Sequence, residues 1–199
     1  WDKKELKQRM RHISVCLHAV LPSDYKKSIE ILKKAVVHFN GFLSMVFPDY
    51  VEVYGLDDYD TSISALELFT QHGSSEFAIR PFIIRYSKKL MPQMVKWAKH
   101  KNHHVRRLAS EGSRPRLPWA IGLPEFKKNP SEVLKILVIL KNDESEYVRK
   151  SVANNLNDIS KDNPEIAFAT AKKWFGNSQK TDWIIKHGLR GLLKKGDVD

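Results

Sequence analysis

The residues best suited to chemistry in this sequence lie between Val105 and Trp119, where Arg107 and Glu111 stand four apart in a helical pattern and Gly112 follows at once. On a helix, Val105, Leu108 and Ala109 share one face, while Arg107 and Glu111 occupy the polar flank beside Leu108. Glu111 is then an anion in the last helical turn. The helix dipole disfavours negative charge there, so only neighbouring cations compensate it. Beyond it, Pro115 and Pro118 stiffen a loop that carries Arg114, Arg116 and Trp119 and hold those side chains at low entropic cost. Two readings of this stretch are open. One is an ordinary Arg107–Glu111 helix pair with a core tryptophan; the other is a carboxylate kept charged for use.

A second acidic group belongs with the first. Val148, Val152, Leu156 and Ile159 form an apolar stripe, and Lys150, Asn154 and Asp158 stack one turn apart on a polar face. Superposing Val105 on Val148 sets Arg107 with Lys150 and Glu111 with Asn154, and Asp158 falls one turn further on. Glu111 and Asp158 are therefore expected to face one groove from neighbouring units. Other chemistries lack their residues: there is no Gly-rich phosphate loop, no His-Glu-x-x-His and no strand-turn serine nucleophile. His100, His103 and His104 have no carboxylate or cysteine at ligand spacing, so neither a metal site nor a cofactor is expected. Cys16, beside the apolar stripe of the first helical run, reads as a packing residue.

Charge points to a partner. The 199 residues carry 34 Lys+Arg against 23 Asp+Glu, and the excess is local: residues 76–128 hold 13 Lys/Arg against only Glu76, Glu111 and Glu125. A basic segment with histidines and with Trp97 and Trp119 close by suits phosphate contacts plus aromatic stacking, while a solvated basic face is the plainer account. The cations offered for phosphate contact are Arg80, Arg106, Arg107, Arg114 and Arg116 within this segment, with Arg149 and Lys150 beyond it. A lone cysteine excludes a disulfide-stapled scaffold and fits a reducing compartment. The longest apolar stretches, such as residues 136–140, fall far short of the roughly 20 residues of a membrane span, and no signal peptide is expected. A chain that opens with Trp1 inside a helical pattern reads as part of a slightly longer polypeptide.

Nearly every segment has helical periodicity. Leu6, Met10, Ile13 and Leu17 repeat at three and four, and Tyr25, Ile29, Leu32 and Val36 do the same after Pro22, giving a helix pair over about 1–40. Residues 41–60 read as a structured connection, and residues 61–199 as repeats. Thr61 or Ser62 is expected to cap a helix that Gly73 stops. Ser74 or Ser75 then starts another, with an irregular start or kink at Pro81. Pro92, His103, Ser131, Ser145, Asn163-Pro164 and Thr181 open further runs. Hydrophobic–basic pairs recur at Ile79-Arg80, Val105-Arg106, Val148-Arg149 and Ile185-Lys186, with a second helix between successive pairs. Helix pairs recurring at this spacing are the signature of an α-solenoid, so one all-α, HEAT-like domain over 1–199 is expected; a four-helix bundle with extra helices is the alternative.

Two long runs then match a family. Residues 106–112 with Arg114-Pro115-Arg116-Leu117-Pro118-Trp119, and residues 146–158, resemble bacterial DNA alkylation repair proteins, specifically the AlkC branch beside AlkD. Phe47-Pro48-Asp49-Tyr50, residues 54–58 and 75–82, His187-Gly188-Leu189-Arg190 and residues 194–197 extend the likeness over most of the chain from Phe47. The resemblance implies a HEAT-like DNA glycosylase, a hydrolase of base excision repair. It would remove cationic N-alkylated bases (N3-methylcytosine, N1-methyladenine or N3-methyladenine) from double-stranded DNA without base flipping. It also implies Glu111 as the catalytic carboxylate, Asp158 as a second acidic group at the lesion, and Glu76, Arg114 and Trp119 completing the cleft. Asn155 departs from the family's Ala-Asn-His-Leu-Asn-Asp run, which has histidine there, and the immunoglobulin-like C-terminal domain of some members is expected to be absent. A monomer in the bacterial cytoplasm, at the nucleoid, is the implied setting. A non-catalytic binder of bent or branched DNA and a HEAT-type protein scaffold are the competing classes, which the fold alone does not separate.

Overall fold

Helices form wherever the three-and-four spacing of apolar residues runs without interruption, and twelve of them, with two short 3-10 turns, make up the described residues 4–196 of the computed structural model. No strand occurs among these residues. Asp197, the last residue of the 194–197 run, lies outside them, as does Trp1. The chain divides into two units, Trp1–Tyr86 and Ser87–Asp199. The division falls at a break in one long helical stretch, α5 (Ile79–Trp97), where Tyr86 has non-helical φ −123° and ψ 29°.

In the first unit, α1 (Leu6–Val20) packs on α3 (Val46–Tyr54), α2 (Tyr25–Ala35) packs on α4 (Tyr59–Phe69), and α3 packs on α4. The α2 stripe is buried as expected at Ile29, Leu32 and Val36. The face of α1 is rotated from the expected one: Met10 and Ser14 are buried while Leu6 is exposed. The reason is polar. Asp49 of α3 is buried and draws in Ser14 Oγ at 2.7 Å and Arg11 Nε at 3.0 Å, which fixes that flank of α1 toward the core. Cys16 is thereby turned to solvent and is not the packing residue its spacing suggested.

The connection 41–60 contains α3, and the cap of α4 is Asp58, which accepts from Thr61 N at 3.2 Å, rather than Thr61 or Ser62. Ser62 is instead buried and donates to Gly55 O at 2.7 Å beside the Tyr25 hydroxyl. A side chain at Gly55 would meet Tyr25 Oη at 2.1 Å, so only glycine fits this crossing. Pro81 lies in the first turn of α5, where a missing N–H leaves no bond unmade. The break comes five residues later, at Tyr86, whose hydroxyl donates to Leu56 O at 2.9 Å.

The second unit is organised around α9 (Glu146–Asp162), which packs against α6 (His103–Gly112), α7 (Pro124–Lys128), α8 (Ser131–Leu140), α10 (Pro164–Trp174), α11 (Gln179–Gly188) and α12 (Arg190–Lys195). Antiparallel pairs laid side by side in this way give the all-α, HEAT-like class. Val148, Val152, Leu156 and Ile159 are fully buried, as their spacing predicts. Among the four hydrophobic–basic pairs, two share one structural job. Arg106 Nη1 donates to the carbonyls of His100 and Lys101, and Arg149 Nη1 donates to those of Asp143 and Glu144, so each arginine closes the turn that precedes its own helix. The fourth pair is out of register, because Ile184 rather than Ile185 is the core residue of α11.

Leu156 also fills the space left by Gly188 of α11, where a Cβ would come within 2.9 Å of its Cδ2. Truncating a side chain held on this many sides leaves a cavity that the surrounding helices cannot collapse into. Leu156→Ala should destabilise the chain by about 2–5 kcal/mol, read as a lower midpoint in urea or thermal unfolding. An unchanged midpoint would mean that α9 is not the central strut.

Candidate active site

The helix α9 is polar for a helix buried on so many sides. Ser151, Asn155, Asn157, Asp158 and Ser160 are all buried, and each needs a partner if it is not to destabilise the fold. The partners come chiefly from α6 and from the loop that follows it. Ser113 ends α6, and the loop carries Arg114 and Arg116 two residues apart, against Asp158 and Asp162 one helical turn apart on α9. Arg114 Nε donates to Asp158 Oδ2 at 2.8 Å, and Arg116 Nε donates to Asp162 Oδ2 at 2.7 Å with a second bond from Nη2 to Oδ1. The loop is thus fastened along α9 by two guanidinium–carboxylate pairs. Leu117 is buried beneath it.

Glu111 joins the same array. Arg114 Nη1 donates to Glu111 Oε1 at 2.7 Å, so one guanidinium spans the two carboxylates that sequence reading had paired. Arg107 Nη2 lies 3.5 Å from Glu111 Oε1, and Lys161 Nζ lies 3.5 Å from Asp158 Oδ1. Ser151 Oγ donates to Glu111 Oε2 at 2.6 Å. Glu111 and Asp158 retain only 5% and 2% of their exposure. Burial works against the Arg114 charge, but the hydrogen bond to Asp158 and the charges of Glu111 and Asp158 outweigh it and hold its pKa above the ordinary arginine value. Arg116, by its hydrogen bond, holds the Asp162 carboxyl below its usual range.

Trp119 stands at the far end of the same loop. It is 77% exposed, with φ at +61°, in the left-handed region that a large side chain rarely adopts. Backbone strain of this kind costs about 1–3 kcal/mol and persists where neighbours over-determine it. Here the fastened Arg114 and Arg116 do so. Trp119 is not a core tryptophan.

The remaining candidate residues fall into three groups. Lys150 is on the exposed face of α9, 2.7 Å from Glu146, and the Arg107 guanidinium centre sits 4.6 Å from the Tyr147 ring centroid. Arg106 and Arg149 close the turns before their helices, and Arg106 is further held by Asp143 at 2.6 and 2.9 Å. Arg80 and Glu76 belong to the first unit. Arg80 is 0% exposed, which removes it from any set of phosphate contacts, and Glu76 accepts from Ser74 Oγ. His103 and His104 pack on each other at 4.2 Å and on Tyr147. The serines around Glu111 were missed. Their signal was present: with Val105 set on Val148, Ser151 takes the place of Leu108 and Asn155 that of Gly112, two polar residues in a core register.

The second unit is thus an all-α helical-repeat unit with a buried carboxylate–arginine–carboxylate array and an exposed tryptophan on the loop that Arg114 and Arg116 fasten. A sequence model of the DNA alkylation repair enzyme family matches residues 70–192, and the chain belongs to that family. It is similar to the structure of the Pseudomonas fluorescens alkylpurine DNA glycosylase AlkC bound to DNA containing an abasic site analog, with TM-score 0.92 and 46% identity over 96% of this chain and 54% of that one. It is also similar to AlkD2 of Streptococcus mutans, with TM-score 0.67 and 26% identity over 94% of this chain and 90% of that one. YhaZ of Bacillus subtilis (strain 168) is 54% identical over 197 residues, 99% of this chain and 55% of that protein. The chain thus spans about half the length of the curated relative it matches. No helix among the described residues is long and apolar enough to cross a membrane.

Removing Arg114 would strand two buried carboxylates beside each other. Arg114→Met should therefore destabilise the fold by about 3–5 kcal/mol, the scale for breaking a buried ion pair from one side. Denaturant unfolding measures it, and a change below about 1 kcal/mol would show that the array is solvated and not structural.

Proposed function

We propose that the chain is a DNA glycosylase that hydrolyses the N-glycosidic bond of cationic N-alkylated bases in duplex DNA without flipping the base into a pocket. The observation that carries this reading is the pair of carboxylates, Glu111 and Asp158, held by the single guanidinium of Arg114. The AlkC relative, named for alkylpurines and solved on DNA with an abasic site analog, supports the reaction class. N1-methyladenine and N3-methyladenine fall within that name, and N3-methylcytosine extends the proposal to a pyrimidine with the same charge.

The chemistry is electrostatic. A base that already carries positive charge leaves as a neutral molecule when the bond to C1′ breaks, because the bonding pair returns to it. Positive charge passes to the sugar, and water adds at C1′ to leave an abasic site. Glu111 and Asp158 fix carboxylate oxygens in a place largely closed to water, and it is their local field, with Arg107 and Lys161 also flanking them, that stabilises the sugar cation as it develops; the parallel with glycoside hydrolysis is one of charge and not of fold. Arg114 takes a different part from the phosphate contact first assigned to it: it keeps both anions in place. The Trp119 ring offers a face to the sugar or to the cationic base. Arg106, Arg107, Arg116, Arg149 and Lys150 are assigned to the phosphate backbone. We assign the protein to the bacterial cytoplasm at the nucleoid, acting as a monomer without metal or cofactor.

Duplexes bearing one defined N3-methylcytosine, N1-methyladenine or N3-methyladenine, scored for free base and abasic sites, test the reading. Glu111→Gln keeps shape and hydrogen bonding but deletes the charge, and should lower excision by about two to four orders of magnitude, or about 3–5 kcal/mol of transition-state stabilisation. DNA affinity should hold or rise. A parent that binds duplex DNA and releases none of the three bases would leave a non-catalytic binder of bent or branched DNA.

Binding itself should be governed by backbone charge, given the 13 Lys/Arg against three acids in residues 76–128. The log–log dependence of affinity on salt should have a slope of roughly −4 to −8, for about five to nine neutralised phosphates. Salt-independent affinity would contradict this.

A further inference from the structure

Glu111 is gripped from two sides. The Arg114 guanidinium, from the loop after α6, binds Oε1 at 2.7 Å, and the Ser151 hydroxyl, from α9, binds Oε2 at 2.6 Å. The Ser110 and Ser151 hydroxyls lie 2.9 Å apart, and both residues are buried. An ionised carboxylate only accepts, and Ser151 has one proton. When Glu111 is charged, that proton points to Oε2, and the contact between the serines is filled by the proton of Ser110. The order is then Ser110 to Ser151 to Glu111, a chain with one direction. Its near end is anchored as well, because Asn155 Nδ2 donates to Ser110 O at 2.7 Å across the α6 and α9 contact. Asn155 Oδ1 is buried with no hydrogen-bond partner among the described residues, so the amide serves the Ser110 backbone from one end alone.

From this geometry we infer that Ser151 is a positioning residue for Glu111, fixing the direction of the carboxylate that faces the cationic sugar and base. The inference rests on the glycosylase reading above. Arg114 alone leaves Oε2 unheld and the carboxylate able to swing about its last torsion, which is broad and soft. Ser151 removes that freedom, and it does so from the helix that also carries Asp158. The two carboxylates are therefore held to one frame, α9, one through its own backbone and one through a serine proton. The bond is short and charge-assisted, and it is shielded from water, so its loss is felt in the rate and not in the grip on DNA.

The test is single-turnover excision from a duplex with one cationic methylated base, alongside DNA affinity and thermal midpoint, for the parent, Ser151→Ala, Ser151→Cys and Ser151→Thr. The Ala and Cys variants, which lose the hydroxyl donor, should excise about 10- to 100-fold more slowly, as expected for a hydrogen bond to a charged group. Their DNA affinity should stay within about twofold of the parent, since no phosphate contact is lost. Ser151→Thr, which keeps the hydroxyl, should recover most of the rate. Cys is included because it matches serine in size and preserves packing if Ala does not. In the Glu111→Gln background, Ser151→Ala should have no further effect on rate. An active parent whose Ala and Cys variants excise as fast as it does overturns this inference alone, as would a Ser151→Ala effect that persists undiminished without the Glu111 charge. A parent that releases no base from any alkylated duplex overturns the glycosylase reading and this inference with it.

Discussion

One guanidinium holds the second unit's working parts together. Arg114 joins the end of α6, through Glu111, to the C-terminal part of α9, through Asp158, and in doing so fixes the loop that displays Trp119. Both carboxylates lie in a place largely closed to water, with the Arg114 guanidinium bound to each. The same contact that makes the array stable makes it electrostatically strong, because charges count for more where water is excluded. Arg116 repeats the device one turn further along α9, at Asp162, where exposure makes it a fastening for the loop and not part of the array.

The arrangement explains why α9 carries so many polar residues at positions that packing alone would fill with leucine. Buried ion pairs are weak contributors to stability, and a hydrophobic core of equal volume would serve the fold as well. Their presence at the centre of the unit, together with the strained backbone of Trp119, is a departure from what stability asks, and such departures gather at functional sites. The chemistry supplies the reason. On the glycosylase reading proposed above, a base that is already cationic needs little help to leave, and what that reaction asks of the protein is fixed negative charge near the sugar within a surface positive enough to hold DNA.

Much of this was legible in the sequence. The stripe of Val148, Val152, Leu156 and Ile159 marks the buried face of α9, and setting Val105 on Val148 brings Glu111 and Asp158 toward one site from spacing alone. The placement of Glu111 at a helix C-terminus beside Arg114 marked it as unusual. What escaped was set by side-chain hydrogen bonds that the apolar pattern does not report. Arg114 was read as a phosphate ligand because nothing local shows that Asp158, 44 residues away, claims its Nε. Periodicity likewise reports which residues leave the core, and not that the Arg106 and Arg149 side chains turn back to close their own loops. Cys16 was misplaced because Ser14, a polar residue with a buried partner in Asp49, sets the face of α1 in place of its leucines. In each case a polar partner, near or far in the chain, set what the apolar pattern leaves open.

The central claim is that Glu111 and Asp158 act as one unit through Arg114, and a double-mutant cycle on single-turnover excision tests it directly. Glu111→Gln, Asp158→Asn and the double variant are measured on the same duplex with one cationic methylated base. If the two carboxylates form a coupled array, the double variant loses about as much rate as the worse single variant, leaving a coupling energy of about 1 kcal/mol or more. Losses that simply add would contradict the account, since they would mean two independent charges that happen to share an arginine.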